Sequence, residues 1–444
     1  MTRRLRWAVP LAIATVLTVA GSAFAAITIS PSSPASPGQK VGGNYSWNYG
    51  NSLDTSTCNG VTYLNSLYAT DYVGGNWASD DGPYQGAFVT RANTANTPLT
   101  WSAPKRVSPA GVHAERTTLA ADGNYVYVGY VTQVSYDNYD PTAKRVFYVR
   151  VSADCGATFG APIRLSSGTG RVDYPILAAD AGYVYAIWVD GATGAVRLAR
   201  SSNHGATWTT TTVGTTTSKN PDDPGEGFYG YPTVAASGAN VVIGWYTNTA
   251  GRQVVRGSSD FGATFGAELQ VTATSPNDTI HYMTSGGQED GLNDRVAVAY
   301  TSDTGVHVRV WDGAWSAERT VQLYGSTIAG TTFSGSYGPM PLPYGNTGLI
   351  VVYPNCQATA QTANDCDYTL NKVRTSLVYE ESVTGTFGDS TPRVLASSVT
   401  DRYLNDSASI VTVGGKRYVL YNGWTANYFN YRLYMKTITG TGPS

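Results

Sequence analysis

One eight-residue pattern occurs three times in this chain and limits what it can become. VSADCGATFGAP (151–162), SSNHGATWTTT (201–211) and SSDFGATFGAE (258–268) all read Ser-x-(Asp/Asn)-x-Gly-x-Thr-(Phe/Trp). The acid or amide of each copy, Asp154, Asn203 and Asp260, follows the last by 49 and then 57 residues. Self-similarity at such a period marks a repeat architecture, in which a unit that cannot bury its own apolar face is copied and stacked.

The flanking segments define that unit. RTTLAADGNYVYVGYV, YPILAADAGYVYAIWV and YPTVAASGANVVIGWY each give a short apolar strand, a Gly turn and a β-branched, aromatic strand. A third strand follows (RVFYVRVS, AVRLARSS, QVVRGSSD), then the repeated pattern, then a fourth strand such as FGAPIRLSS. Four antiparallel strands in about 50 residues make one blade of a β-propeller. Weaker copies continue: HYMTSGG to WSAERTVQL, with Trp315 at the aromatic position, and YGPMPLPYG to the strand after Phe387. Tyr403 to Ile438 gives three strands before the chain ends, and NSLYATDY, AFVTRAN and TWSAPKRVS read as the second to fourth strands of a blade near its start. The fold class is therefore all-β, a propeller of four-stranded blades. Seven blades are favoured if both partial blades are completed locally, with GGNYSWNYG as a candidate strand, and six if the termini merge into one.

The chain opens MTRRLRWAVPLAIATVLTVAGSAFAA. Arg3, Arg4 and Arg6, an apolar run from Ala8 to Ala20 and Ala23-Phe24-Ala25 fit a secretory signal over 1–25, too short to span a bilayer. Secretion to the extracellular space is expected, with Arg3-Arg4 leaving the twin-arginine route open. Residues 26–40, containing SPSSPASPGQ, read as a Pro/Ser-rich leader, and 41–444 as a single propeller domain. Without residues 1–25 the chain has 26 basic and 31 acidic side chains, a net charge of −5. That balance argues against nucleic acid as a partner.

Four cysteines in an exported protein suggest two disulfides. Cys356 and Cys366 bracket the polar loop NCQATAQTANDC and are expected to pair, which leaves Cys58 for Cys155. Four free buried thiols are the alternative.

The three patterned segments closely resemble the Asp-box, or bacterial neuraminidase repeat, the turn between the third and fourth strands of a blade in that family. The resemblance implies that Asp154, Asn203 and Asp260 are structural, accepting hydrogen bonds from turn N–H groups. Gly156, Gly205 and Gly262 would supply left-handed backbone, and Phe159, Trp208 and Phe265 would pack between blades. Antiparallel order puts these turns on one face of the ring, and function is expected on the other.

On that second face HAERTT, GRVDYP, GEGFYGYP, TIHYM, SGSYGP and DRYLND converge, with Tyr174, Tyr231, Tyr282 and Tyr337 near the rim. Aromatic rings beside Arg and carboxylates suit sugars, although each Tyr could equally be packing. The wider family includes the sialidases, retaining glycosidases with a Tyr nucleophile, a Glu base, an Asp acid/base and three Arg on the substrate carboxylate. By placement the resemblance implies Tyr403 as nucleophile and Glu226 as its base. Asp137 or Asp140, in QVSYDNYDPTAKR, would be the acid, and Arg116, in Glu115-Arg116-Thr117-Thr118, would clamp the carboxylate with Arg252 and Arg374. Where the family expects an acid after the last blade's second strand, this chain has Asn422.

Other chemistries find less support. The four His, at 113, 204, 281 and 307, lack zinc spacing, and no G-x-S-x-G elbow is present. ASDDGPYQG (Asp80, Asp81) and NPDDPGEG (Asp222, Asp223, Glu226) could offer oxygens to Ca²⁺, but solvated loops are the simpler reading, and no cofactor is otherwise expected. The sequence thus predicts an exported, monomeric, glycan-directed propeller, with sialidase-like exo-glycosidase as the sharpest reading. The alternatives are a non-catalytic propeller binding glycan or protein at the cell surface, and a hydrolase or lyase that uses carboxylates alone.

Overall fold

The computed structural model describes residues 27–32, 39–41, 52–70, 72–73, 76–77, 86–133, 145–167, 172–217, 232–247, 252–272, 283–333, 336, 338–357, 373–397, 402–425 and 432–440. The chain begins with two short strands, β1 (Thr28–Ser30) and β2 (Gln39–Val41). Blade 1 holds β3 (Leu53–Cys58), β4 (Val61–Thr70), β7 (Gly86–Asn93) and β8 (Lys105–Arg106), with the small pair β5 (Tyr72–Val73) and β6 (Asn76–Trp77) between its second and third strands. Blade 2 is β9 (His113–Asp122), β10 (Tyr125–Gln133), β11 (Arg145–Ser152) and β12 (Ile163–Arg164). Blade 3 is β13 (Val172–Asp180), β14 (Tyr183–Asp190), β15 (Ala195–Ser201) and β16 (Thr209–Thr215). Blade 4 is β17 (Thr233–Ser237), β18 (Asn240–Tyr246), β19 (Gln253–Ser258) and β20 (Leu269–Gln270).

Blade 5 is β21 (Met283–Gly287), β22 (Val296–Thr301), β23 (Gly305–Trp311) and β24 (Arg319–Leu323), followed by the pair β25 (Thr327–Ile328) and β26 (Thr331–Thr332). Blade 6 is β27 (Met340–Tyr344), β28 (Gly348–Gln357), β29 (Val373–Ser382) and β30 (Arg393–Ser397). Blade 7 takes β31 (Arg402–Val413), β32 (Lys416–Thr425) and β33 (Arg432–Thr439) from the end of the chain. Its outer positions are filled from the start, by β1 and β2, which both pair antiparallel with β33. The first strands touch in the circular order β3, β9, β13, β17, β21, β27, β31 and back to β3, so the ring is closed. The protein is a seven-bladed β-propeller.

Seven blades are thus formed, but only the first partial blade is completed locally. Its missing first strand is Leu53–Cys58; GGNYSWNYG, at 42–50, lies outside the described residues. The last blade borrows its outer strand from the segment expected to be a leader. Lys436 is fully buried and donates to the Pro31 carbonyl at 2.8 Å, which helps hold that strand. Pairing the two ends of the chain in one sheet completes the seventh blade and closes the ring, leaving only the outer strand of each blade as an edge.

The apolar residues form seven clusters, one between each pair of neighbouring blades. A blade is covered on both faces, which is why second strands such as Tyr125–Gln133 and Asn240–Tyr246 read as near-continuous apolar runs. Close approach of the sheets demands glycine at a few points. A Cβ on Gly214 in blade 3 would meet the Trp245 ring of blade 4 at 2.3 Å.

The repeated turn joins third and fourth strands in blades 2, 3 and 4. In the first copy Ser152 donates to Asp154 at 2.7 Å and accepts from the Gly156 N–H at 2.8 Å. Asp154 in turn accepts from the Thr158 N–H at 2.7 Å and the Thr158 hydroxyl at 2.6 Å. Asp260 repeats this with Thr264, and Asn203 substitutes its amide, accepting from the Thr207 N–H and donating to the Thr207 hydroxyl. The Thr264 hydroxyl and N–H hold the Asp260 carboxyl down at about 2. Phe159, Trp208 and Phe265 each pack into the core shared with the preceding blade. These acids are spent on the turn.

Cys58 and Cys155 form a disulfide with Cα atoms 6.1 Å apart, tying the first hairpin of blade 1 to the repeated turn of blade 2. Residue 366 lies outside the described residues, so the expected Cys356–Cys366 pair does too. The bond closes a separation of 97 residues, and converting both Cys58 and Cys155 to Ser is expected to cost about 2–4 kcal/mol. The check is the urea midpoint at constant slope; an unchanged midpoint contradicts it.

Candidate functional site

The face opposite the repeated turns is where the first strands begin, and there the ladder is deliberately irregular. In blade 2, Glu115 pairs with Val131 and Thr118 with Gly129, so Arg116 and Thr117 together oppose Tyr130. In blade 3, Asp173 pairs with Val189 and Ile176 with Ile187, so Tyr174 and Pro175 oppose Trp188. Both are β-bulges, and the first residue of each is left-handed without being glycine: Arg116 at φ 51° and Tyr174 at φ 47°. A bulge re-aims a side chain that a regular strand would point elsewhere, and a non-glycine in this conformation costs about 1–3 kcal/mol. The outcome is that the Arg116 guanidinium lies over the Tyr174 ring, 4.3 Å from its centre.

Beneath this pair sits a buried charge cluster. Glu115 is only 1% exposed. Its carboxylate has Arg116 Nε at 3.3 Å, Arg145 Nη2 at 3.6 Å and His113 Nε2 at 3.6 Å. Burial would raise this carboxyl, but Arg116, His113 and Arg145 outweigh it and bring it down to about 2. The Arg116 and Arg145 guanidinium groups both face this one carboxylate, so Glu115 fixes where each of them points.

The sequence reading named Arg116 and Tyr174, and the structure brings them together. It passed over Glu115 and Arg145, although both lie in segments already singled out there. The available signal was a charged residue at the first position of RVFYVRVS, where burial on both sides is the rule. Arg252 is half-buried on this same face, where its carbonyl accepts from the Thr247 N–H at 2.9 Å. Arg374 pairs through its backbone with Cys356, and Tyr403 with Trp424 at the funnel end of β31, but the side chains of both lie outside the described residues. β31 is also irregular, with a register shift between Leu404 and Ala408. Glu226, Asp137, Asp140, Tyr231, Tyr282 and Tyr337 lie outside the described residues, as do Asp80, Asp81, Asp222 and Asp223.

The other end of the ring gathers carboxylates. A cavity of about 280 Å³ lies on the axis, lined by first-strand residues of all seven blades. Carboxylates at its turn end link neighbouring blades. Asp54 accepts from the Ala121 N–H at 2.7 Å, Asp122 from Gly182 at 2.6 Å and Asp180 from Gly238 at 2.5 Å. Glu289 accepts from the Thr412 N–H at 3.1 Å. Burial, with Asp122 and Asp180 nearby, pushes the Asp54 carboxyl up to about 7, and burial and the Asp54 charge push Glu289 up as well. From Arg116 to Asp122 is six residues along one strand, or about 20 Å. The two ends of the ring therefore carry different charged groups, carboxylates linking blades at the turns and the Arg116–Glu115–Arg145 cluster at the funnel.

Among the described residues no helix is long and apolar enough to cross a membrane. No protein-family model matches the chain, and no curated protein does. Solved structures similar to it include a Trypanosoma rangeli sialidase with the inhibitor DANA, at 11% identity and a TM-score of 0.43, covering 88% of this chain and 55% of that one. A mutant of the NanB sialidase from Streptococcus pneumoniae is 10% identical with a TM-score of 0.45, over 73% of this chain and 68% of that one. The leech intramolecular trans-sialidase, with 2,7-anhydro-Neu5Ac, is 10% identical with a TM-score of 0.44, over 78% and 69%. The chain thus spans little more than half the length of the trypanosomal sialidase.

The raised Asp54 carboxyl makes a signed prediction. Its folded pKa of about 7 exceeds the unfolded value, which is about 3.9, so its contribution to stability is full below about pH 4 and lost as pH rises towards 7. Asp54→Asn should therefore flatten the fall in urea midpoint between pH 5 and pH 8. A variant that keeps the wild-type slope contradicts this.

Proposed function

We propose that this chain is an exported Asp-box propeller acting on glycans that carry a carboxylate, as a sialidase-like exo-glycosidase. The observation that carries the reading is the strained Arg116–Tyr174 pair at the funnel, with Arg116 held from below by Glu115. A bidentate guanidinium distinguishes an acidic sugar from a neutral one, and an aromatic face suits the C–H surface of the ring.

In this reading Arg116, with Arg252 and Arg374, holds the substrate carboxylate. The Tyr403 oxygen attacks the anomeric carbon while Glu226 takes its proton, since a phenol with a pKa near 10 is a poor nucleophile until a base relieves it. Asp137 or Asp140 protonates the departing oxygen and then draws a proton from water as the tyrosyl intermediate is hydrolysed. Glu115 and Arg145 orient Arg116 from below without touching substrate.

The test is release of 4-methylumbelliferone from its α-sialoside by the folded mature protein. Turnover is expected, with Tyr403→Phe abolishing it and Arg116→Lys lowering kcat/KM about 10–100-fold through loss of the charged, bidentate contact. A folded wild type that binds the sialoside without turnover would sink the enzymatic reading and leave a glycan-binding propeller. One that neither binds nor turns it over would sink both.

A further inference from the structure

The seven outer strands of the ring are not alike. β8, β12 and β20 have two residues each, β1 has three, and β24 and β30 have five. Four of these six carry Lys or Arg: Lys105 and Arg106, Arg164, Arg319, and Arg393. Short length and charge are the usual protections of an exposed edge, which otherwise offers unpaired N–H and C=O groups to another strand. β16 has neither. It runs seven residues, TTTTVGT, without a charge or a proline, and pairs on one side only, with β15.

Its side chains are unusual as well. Thr209, Thr210, Thr211 and Thr212 are all exposed, as is Thr215. Successive residues of a strand point to opposite faces, so four exposed in a row means that neither face is covered over 209–212, ahead of the buried Val213. The flanking hydroxyls are in use: Thr207 accepts from Asn203, Thr212 accepts from Arg197, and Thr217 donates to the Thr247 carbonyl. Thr209, Thr210, Thr211 and Thr215 make no side-chain hydrogen bond among the described residues. β-propensity explains threonine in a strand, but it does not explain an unguarded edge.

We propose that β16 is an O-glycosylation site, with Thr209, Thr210, Thr211 and Thr215 as the acceptors. A dense run of exposed threonine hydroxyls offers the acceptor groups of O-glycosylated segments, here without their proline, and bulky hydrophilic groups there would block edge pairing. In the reaction a threonine Oγ1 attacks the anomeric carbon of an activated glycosyl phosphate supplied to the transferase. The Oγ1–C1 bond forms as the C1–O bond to phosphate breaks, the phosphate leaves with the electron pair, and the hydroxyl proton passes to a base of the transferase. The proposal rests on export of the chain and is independent of what the funnel binds.

The experiment is tryptic mass spectrometry of the protein from medium and cell fractions of its native host. Cleavage after Arg200 and Lys219 places every candidate on one peptide, 201–219. Hexose-type increments on that peptide, removed by alkaline β-elimination, are expected in the medium fraction. They should be absent from a Thr→Val variant at all four positions whose thermal unfolding remains cooperative. An unmodified 201–219 peptide in both fractions overturns the proposal, and so do increments that persist in the variant.

Discussion

The structure depends on how one blade grips the next at the repeated turn. The residue before the turn glycine is left-handed in all three copies: Cys155 at φ 54°, His204 at φ 53° and Phe261 at φ 56°. That conformation swings its side chain back over the preceding blade. Cys155 meets Cys58 as a disulfide, His204 stacks on Tyr125 with ring centres 4.0 Å apart, and Phe261 stacks on Tyr183 at 4.5 Å. Arginines of the preceding blade close the grip from the other side. Arg91 donates to the Cys155 carbonyl at 2.9 Å and Arg200 to the Phe261 carbonyl at 2.6 Å. A covalent bond, an imidazole stack and an aromatic stack thus occupy one geometric slot. The acid of each turn exists to hold that slot in shape, which is why Asp154 and Asp260 are not available for catalysis.

Because the clasps and the linking carboxylates gather at one end of the ring, the other end is free to be irregular. There the first strands bulge in blades 2 and 3, and two side chains are held in a conformation that costs energy. The charged side chains follow the same division. Asp54, Asp122, Asp180 and Glu289 gather at the turn end, while Arg116 and Arg145 gather around Glu115 at the funnel end.

Much of this could be read from the sequence because the middle strands of each blade are buried on both faces and advertise it with apolar runs. The blade count and the turn position of Asp154, Asn203 and Asp260 follow from that pattern; the Cys58–Cys155 bond is the pair left over once Cys356 is assigned to Cys366. What escaped was what burial does not mark. Leu53–Cys58 faces a narrow channel and reads LDTSTC, and Thr28–Ser30 is a three-residue strand visible only through its partner at the far end of the chain. Arg150 and Arg256 also went unread. Each stands two residues before the Ser of its turn, donates to two carbonyls beyond the turn, and reaches the previous blade at Val107 or Val213. At the funnel, Arg116 and Tyr174 were legible as residue types, but their contact arises from two bulges that no local pattern announces.

The claim that ties these features together is that the bulged end of the ring, with the Arg116–Tyr174 pair, receives an acidic sugar. A crystal structure of the protein with saturating 3′-sialyllactose tests it most directly. The account predicts a sugar carboxylate within hydrogen-bond distance of the Arg116 guanidinium and a sugar ring against Tyr174. A sugar seated on the turn face, or an unoccupied funnel at saturation, would contradict it.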